Sequence, residues 1–266
     1  MKRKSIFRIL KLALLIYAIV GIVIYYFQDR FFYHPEELPA SHVYNFDHPF
    51  KEVNIPYNKN STINIIQFHT QGQPKGVVLY FHGNRENIAH YADYAKNFTA
   101  YGYEVWMFDY PGFGKSTGVF SEQMIYNWSL LFYKLARATY EPSQIIIYGK
   151  SLGTGFATQL ASIRDCKHLI LETPYYSLPF LLQHYLPFYP AKIIKMQVPT
   201  YEYMKNVTAH VVIFQGTSDW TVTPGNSEKL KPMLKPTDTI IMINGGKHNN
   251  LPTYDAYTQE LKKLLQ

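Results

Sequence analysis

The feature that most constrains the fold is a buried apolar run that ends in a glycine–serine–glycine turn and continues into a helix. It occupies residues 144–162, QIIIYGKSLGTGFATQLAS. The unbroken apolar run at 145–148 predicts a strand buried on both faces. Gly149 and Gly153 lie two positions before and after Ser151, which leaves room for strand and helix to pass at a tight, strained turn. Such a turn lifts the serine hydroxyl clear of the sheet, so we predict that Ser151 is a nucleophile.

Alternating strand and helix patterns surround this turn. Strands are predicted at residues 77–81, 104–108, 144–148, 168–171, 211–214 and 239–243, and helices at 88–100, 122–140, 152–162, 226–233 and 253–265. Two earlier runs, at 52–56 and 62–68, are typical of an antiparallel hairpin. Together the patterns predict an α/β fold with a mostly parallel eight-stranded sheet and helices on both faces.

The N-terminal region predicts a membrane anchor. Residues 12–27 are uncharged and apolar, and their helical length of about 24 Å is extended toward the ~30 Å hydrocarbon core by Ile9, Leu10 and snorkelling Lys11. A cleaved signal peptide and a buried helix are the alternatives, but no A-x-A-like site follows the run and the run has no polar face. We expect the basic flank 1–11 in the cytoplasm and the rest of the chain on the other side of the membrane.

Charge and composition narrow the function classes. The net charge is +7, and the N-terminal flank supplies five of those charges, which leaves +2 for residues 12–266. The five are Lys2, Arg3, Lys4, Arg8 and Lys11. This distribution gives no basic surface for nucleic acid. A single cysteine, Cys166, excludes an internal disulfide, and its position favours a packed structural thiol.

The remaining chain divides into a connector and one domain. Residues 28–50 form a proline-punctuated connector, and residues 51–266 form the folded domain. Within that domain, residues 174–206 hold five prolines and many aromatics between two predicted strands. We predict a small lid of short helices there, over the carboxyl ends of the strands; the alternative is an ordinary crossover helix padded by loops.

A second G-x-S-x-G sequence surrounds Ser116. It lies in a predicted loop, whereas Ser151 has a strand directly before it and a helix directly after it. Context therefore favours Ser151 as the nucleophile and makes Ser116 a turn residue. The sequence around Ser116 also lacks the first glycine of a phosphate-binding loop, since Asp109 occupies that position.

A serine nucleophile needs a base and an acid that orients the base. His248 follows the last predicted strand in a loop that begins Gly245-Gly246, so we predict that it is the base. Asp219 follows the preceding strand and is the predicted acid. Glu172, at the end of another strand, is the alternative acid.

Oxyanion charge requires preorganised N–H donors. We predict the backbone N–H groups of Leu152, the residue after the nucleophile, and of Asn84, which follows Gly83 after the first parallel strand. His82, next to this loop, is predicted to be structural. The chemistry requires no cofactor, and no Cys/His cluster with ligand spacing predicts a metal site.

With these residues in place, residues 50–266 resemble the α/β-hydrolase superfamily. The resemblance rests on residues 82–84 (HGN), residues 109–116 (DYPGFGKS), the Ser151 turn and the chain order Ser151, Asp219, His248. The N-terminal anchor followed by residues 32–35 (FYHP) is similar to a membrane-anchored branch. That branch includes lysophospholipid and monoacylglycerol lipases, depalmitoylating thioesterases and proteins catalogued as serine aminopeptidases. Lys150, at the variable position of the turn, departs from several lipases.

This resemblance implies a serine hydrolase that acts through an acyl-enzyme. The anchor and the aromatic lid favour a lipophilic ester or thioester of the lysophospholipid, monoacylglycerol or acyl-protein type. The leading alternative is an aminopeptidase, for which Glu202 is the candidate that binds the substrate ammonium group. A non-catalytic binding protein with the same fold is a further alternative.

Overall fold

A single twisted sheet organises the chain. The computed structural model describes residues 3–266, so residues 1 and 2 of the predicted basic flank lie outside the described residues. The strands of the main sheet are β1 (Phe50–Asn58), β2 (Ser61–Phe68), β3 (Gly76–Phe81), β4 (Tyr103–Phe108), β5 (Ile145–Lys150), β6 (His168–Glu172), β7 (His210–Gly216) and β8 (Thr239–Ile243). Their spatial order is β8-β7-β6-β5-β3-β4-β2-β1.

Only one strand of this sheet runs against the others. β2 pairs antiparallel with both β1 and β4, and every other pairing is parallel. The eight-stranded, mostly parallel sheet predicted from the sequence is confirmed. Because β3 to β8 are parallel, their carboxyl ends lie at one edge, where α/β folds bind their ligands.

Helices connect the strands. The α-helices are α1 (Arg3–Phe32), α2 (Ile88–Tyr91), α3 (Lys96–Thr99), α4 (Glu122–Arg137), α5 (Gly153–Ala161), α6 (Leu178–Gln183), α7 (Thr200–Met204), α8 (Pro224–Leu230) and α9 (Asp255–Leu265). Five 3₁₀ turns lie at Ala92–Ala95, Pro142–Gln144, Ala191–Ile193, Lys231–Met233 and Leu251–Thr253. The single helix predicted over 88–100 is wrong, because a 3₁₀ turn separates α2 from α3.

The sheet buries a hydrophobic core on each face. Along β3, Val77, Leu79 and Phe81 point into the core that α4 and α5 cover. Val78 and Tyr80 alternate with them and point into the core that α2, α3 and α9 cover. Strands with two buried faces lack polar alternation, which explains the continuous apolar runs in the sequence.

The N-terminal helix is longer than its apolar run. α1 contains the predicted span 12–27 and continues into the first residues of the predicted connector. Its stretch Ser5–Phe32 is long and apolar enough to cross a membrane, a property that signal sequences share. A two-residue parallel pairing of His34–Pro35 with Arg85–Glu86 then ties the end of α1 to the loop after β3.

Candidate active site

The turn at Ser151 has the strained geometry that its sequence predicts. Ser151 adopts a φ of 50°, which is uncommon for a residue with a side chain. A Cβ on Gly149 would lie 2.6 Å from the Cα of Thr154, and a Cβ on Gly153 would lie 2.1 Å from the carbonyl oxygen of Phe81. Both positions therefore require glycine, because strand β5, helix α5 and strand β3 approach one another too closely for any side chain.

The loop after β8 presents His248 to this serine. Gly245, with a φ of 72°, turns the chain back over the end of the sheet. The Nε2 atom of His248 lies 3.0 Å from the Oγ atom of Ser151. At this distance the imidazole is able to accept the hydroxyl proton.

Asp219 completes the chain of contacts. Its Oδ2 atom lies 2.8 Å from Nδ1 of His248, and its side chain is fully buried. Its Oδ1 atom accepts the backbone N–H groups of Thr221 and Val222, at 2.8 and 2.9 Å. Both oxygens are thus occupied, which fixes the carboxylate. A carboxylate that accepts the Nδ1 proton leaves the Nε2 lone pair of His248 directed at the serine.

Glu172, the alternative acid, has another role in the structure. Its carboxylate is fully buried and accepts hydrogen bonds from Lys150 and Tyr148, and from Tyr257 at 3.2 Å. It therefore does not pair with His248, and of the two carboxylates Asp219 is the one that faces the imidazole. The sequence predicted Asp219 and kept Glu172 as the alternative, because both carboxylates follow parallel strands that end at the same edge.

Lys150, the variable residue of the turn, is part of this buried group. Burial by itself would lower the pKa of Lys150, but the charge of Glu172 acts together with Tyr94 and with hydrogen bonds to both residues to raise that pKa. The Nζ atom of Lys150 also donates to the backbone carbonyl of His248 at 3.2 Å. The ion pair therefore connects the Ser151 turn to the loop that carries His248, a connection that the sequence did not indicate.

The predicted oxyanion donors lie on the same cavity as the serine. Asn84 and Leu152 both line the space above Ser151. Within residues 3–266, neither backbone N–H donates to another protein atom. The rest of Asn84 is held firmly: its side-chain amide donates to the carbonyl of Phe32 at 2.7 Å, and its carbonyl accepts the N–H of His34 at 3.0 Å.

His82 and Asp109 form a second histidine–carboxylate pair beneath the oxyanion loop. His82 donates from Nδ1 to the carbonyl of Gly83 at 2.8 Å, and its Nε2 atom lies 3.5 Å from Oδ1 of Asp109. Complete burial lowers the pKa of His82 to about 3 and raises that of Asp109 to about 8. This pair has no contact with Ser151 and supports the loop.

The cavity above Ser151 has a volume of about 350 Å³. Its walls come from the end of α1, the loop after β3, the turn at Ser151 (the elbow), α6 of the predicted lid with Tyr185 after it, and the loop after β7. The lining residues are Phe31, Phe32, Tyr33, His34, Asn84, Arg85, Ser151, Leu152, Leu178, Leu181, Leu182, Tyr185, Thr221 and Val222. The contribution of the α1 end was missed from the sequence, where the only signal was the aromatic segment FYHP.

Two other candidate residues lie away from this cavity. Ser116 is buried and its Oγ atom accepts the backbone N–H of Asn64 at 2.9 Å, a structural role. Glu202, on α7, is half exposed and pairs with Lys205 at 3.0 Å. Glu202 does not line the cavity, so the residue chosen to bind a substrate ammonium group is wrongly placed for that task.

Known proteins share this fold. The model of the family described as "Serine aminopeptidase, S33" matches residues 72–202, which contain Ser151 but neither Asp219 nor His248. The esterase Pf2001 of Pyrococcus furiosus superposes with a TM-score of 0.69 at 15% identity, covering 87% of this chain and 98% of that one. A cold-adapted esterase from an Arctic intertidal metagenomic library superposes with a TM-score of 0.63 at 16% identity, covering 86% and 97%.

The curated relatives match the chain over only part of their own length. The Alpha/beta hydrolase domain-containing protein 17C of Xenopus tropicalis is 26% identical over 191 residues, 71% of this chain and 61% of that protein. An uncharacterized protein of Mycobacterium tuberculosis is 28% identical over 196 residues, 71% of this chain and 68% of that protein. The chain thus matches about three fifths of the length of the frog relative. Together with the sheet and the Ser151 turn, these matches show that the chain has the α/β-hydrolase fold, and they support a hydrolase.

Proposed function

We propose that this protein is a membrane-anchored serine hydrolase that cleaves lipophilic carboxylic esters or thioesters. One observation carries the proposal: Ser151, His248 and Asp219 form a continuous chain of contacts of 3.0 and 2.8 Å beneath a largely apolar cavity. This is the arrangement by which a neutral imidazole activates a serine hydroxyl.

The reaction takes two steps. The Nε2 atom of His248 accepts the hydroxyl proton as the Oγ atom of Ser151 attacks the substrate carbonyl carbon. The oxyanion accepts the N–H groups of Leu152 and Asn84, while Asp219 stabilises the imidazolium. The imidazolium then gives its proton to the departing alcohol or thiol, which leaves an acyl-enzyme. Water, deprotonated by His248, attacks the acyl carbonyl and releases the carboxylic acid and the free serine.

The cavity and the anchor support a lipophilic substrate. Leucines of the lid and aromatic residues at the end of α1 form much of the wall around Ser151. Because the same helix that carries the apolar span also lines the cavity, the site opens close to where a membrane surface would lie. A lysophospholipid, a monoacylglycerol or an acylated protein presents its ester or thioester at such a surface.

The second candidate is an aminopeptidase, which the family description favours. A peptidase of this kind needs a carboxylate to bind the substrate ammonium group. Among the described residues that line the cavity there is no aspartate or glutamate, and Arg85 carries the permanent charge. A guanidinium repels an ammonium ion, so the cavity favours an ester or thioester that has no ammonium group.

The test uses the full chain in detergent micelles and p-nitrophenyl esters from acetate to palmitate. Ser151→Ala is expected to lower kcat by about three orders of magnitude or more, because the nucleophile and base act as a unit. Ser116→Ala, in the other G-x-S-x-G sequence, is the matched control and should keep kcat per folded molecule. Activity on aminoacyl amides but not on esters would favour the peptidase, and activity that survives Ser151→Ala would refute both.

A further inference from the structure

The tip of the lid is an uncharged, largely exposed segment. We define the lid tip as residues 185–191, YLPFYPA, which follow α6 and end at the first residue of the next 3₁₀ turn. Phe188 is 83% exposed and Tyr185 is 50% exposed. Pro187 and Pro190 have no N–H group, and the N–H groups of Tyr185, Leu186 and Tyr189 are bonded within the lid. Few unpaired backbone donors remain, which suits a segment that enters lipid.

The lid tip lies along α1. The ring of Tyr17 stacks on the ring of Tyr189, with 4.6 Å between centroids and 2° between planes. The Tyr17 hydroxyl donates to the carbonyl of Phe188 at 2.8 Å, and the Tyr189 hydroxyl donates to the carbonyl of Tyr17 at 3.0 Å. These contacts satisfy two hydroxyl groups without water.

The base of the lid contacts α1 nearer its end. Gln28 is buried, donates to the carbonyl of Ile193 at 3.0 Å and accepts the N–H of Lys195 at 2.8 Å. Tyr17 and Gln28 are eleven residues apart, about 16 Å along a helix. The lid therefore follows α1 for three turns, from a polar contact at its base to an apolar tip.

This distance decides where the lid tip lies. The stretch from Ser5 to Tyr17 covers about 18 Å, and a crossing needs about 30 Å. If α1 spans the bilayer, the span must include residues beyond Tyr17, and the contacting lid tip is then below the lipid surface. Gln28 marks the first polar residue after the apolar run and fits the interface.

Charges flank the lid tip as they flank membrane elements. Lys192 and Lys195 follow the lid tip and are exposed, and the Nζ atom of Lys195 lies 5.3 Å from the ring centre of Tyr25. Lysines with long stems reach the headgroups from such positions, and tyrosines favour the same level.

We propose that the lid tip is a second membrane element, inserted in the bilayer beside α1, through which lipid substrate reaches the cavity. Tyr185 of the tip and Phe31 of α1 both line that cavity, so the two elements form the wall between Ser151 and the lipid. The inference rests on the proposed anchor and deepens the proposed function by giving the substrate a lateral route from the membrane.

A depth measurement tests the insertion without using catalysis. The full chain with Cys166→Ser and Phe188→Cys carries the dye NBD on the new cysteine, in phosphatidylcholine vesicles with doxyl groups on the acyl chains. We expect a blue-shifted emission and strong quenching. Ile163→Cys is the matched control, since Ile163 is 43% exposed and follows the end of α5 remote from the elbow. Equal quenching at the two positions would overturn the proposal.

An activity measurement tests the substrate route. Phe188→Asp places a carboxylate where the proposal requires hydrocarbon, so we expect kcat/KM to fall about tenfold or more for a long-chain monoacylglycerol in vesicles. Hydrolysis of soluble p-nitrophenyl acetate should stay within about twofold, which also shows that the variant folds. An equal loss on both substrates, or no loss on either, would refute the route. Absence of esterase activity in the wild type would instead refute the proposed function and leave the depth result valid.

Discussion

Two carboxylates at the ends of neighbouring strands show how environment assigns different tasks to the same group. Asp219 follows β7 and Glu172 ends β6, and both side chains are buried beside the elbow. Asp219 accepts two backbone N–H groups and faces the imidazole of His248. Glu172 accepts hydrogen bonds from an ammonium group and two phenols.

The two carboxylates differ in whether the charge of the partner, His248 or Lys150, changes during the proposed reaction. His248 alternates between imidazole and imidazolium during the proposed reaction, and it reaches Ser151. Lys150 keeps its charge, because Glu172 raises its pKa against the effect of burial. The ion pair of Lys150 and Glu172 therefore keeps a constant charge state. The hydrogen bond from Lys150 to the His248 carbonyl stabilises the loop that carries His248.

Asp219→Asn gives the largest expected effect. An amide in place of the carboxylate cannot stabilise the imidazolium and favours the wrong tautomer of His248, so kcat should fall by about 10³–10⁴-fold. KM and the free energy of unfolding should change little, because an amide oxygen still accepts the N–H groups of Thr221 and Val222. Ester hydrolysis and urea unfolding measure both quantities. A loss below tenfold would remove Asp219 from the proposed triad.

Glu172→Gln should instead affect stability. It leaves Lys150 buried without a counter-charge, which costs about 3–5 kcal/mol in the free energy of unfolding. The double variant Lys150→Met/Glu172→Gln removes both charges and should recover much of that loss in urea unfolding. The folded fraction of Glu172→Gln should retain at least ten times the kcat of Asp219→Asn. A stable but inactive Glu172→Gln protein would reverse the assignment of the two carboxylates.

Asp109 extends the comparison to a carboxyl group whose neighbour, His82, is a neutral imidazole. Burial holds the pKa of His82 at about 3 and that of Asp109 at about 8, so the folded pair retains one proton between these values. The unfolded pair, with pKa values of about 3.9 and 6.5, also holds one proton between pH 4 and 6.5 but none above. Stability should therefore fall as the pH rises from 6.5 to 8, by up to about 2 kcal/mol.

Urea unfolding at pH 6.5 and pH 8.0 measures this pH dependence. Asp109→Asn has no proton to lose, so its stability should change less over the same interval than that of the wild type. Other titrating groups are common to both proteins and cancel in the difference. Identical pH dependence in the two proteins would show that Asp109 is ionised in the folded state.

Much of the fold could be predicted because its signals are local. Strands buried on both faces require continuous apolar runs, and the turn at Ser151 requires glycines at Gly149 and Gly153 for steric reasons. The helix predicted over 88–100 was wrong because apolar spacing does not distinguish an α-helix from a 3₁₀ turn, which places similar residues on one face. Chain order placed His248, Asp219 and Glu172 at one edge of the sheet and favoured Asp219 as the acid, but it did not remove Glu172 as the alternative.

The sequence by itself determined the sheet and the elbow, since each depends on neighbours along the chain. Chain order after the parallel strands also named the residues that meet at the elbow. Only the tertiary structure decided which carboxylate faces His248, because Lys150 on the neighbouring strand forms an ion pair with Glu172. It also decided the course of the lid, whose Tyr189 contacts Tyr17, 172 positions away. Such contacts depend on shape and burial in three dimensions, and no periodicity in the chain encodes them.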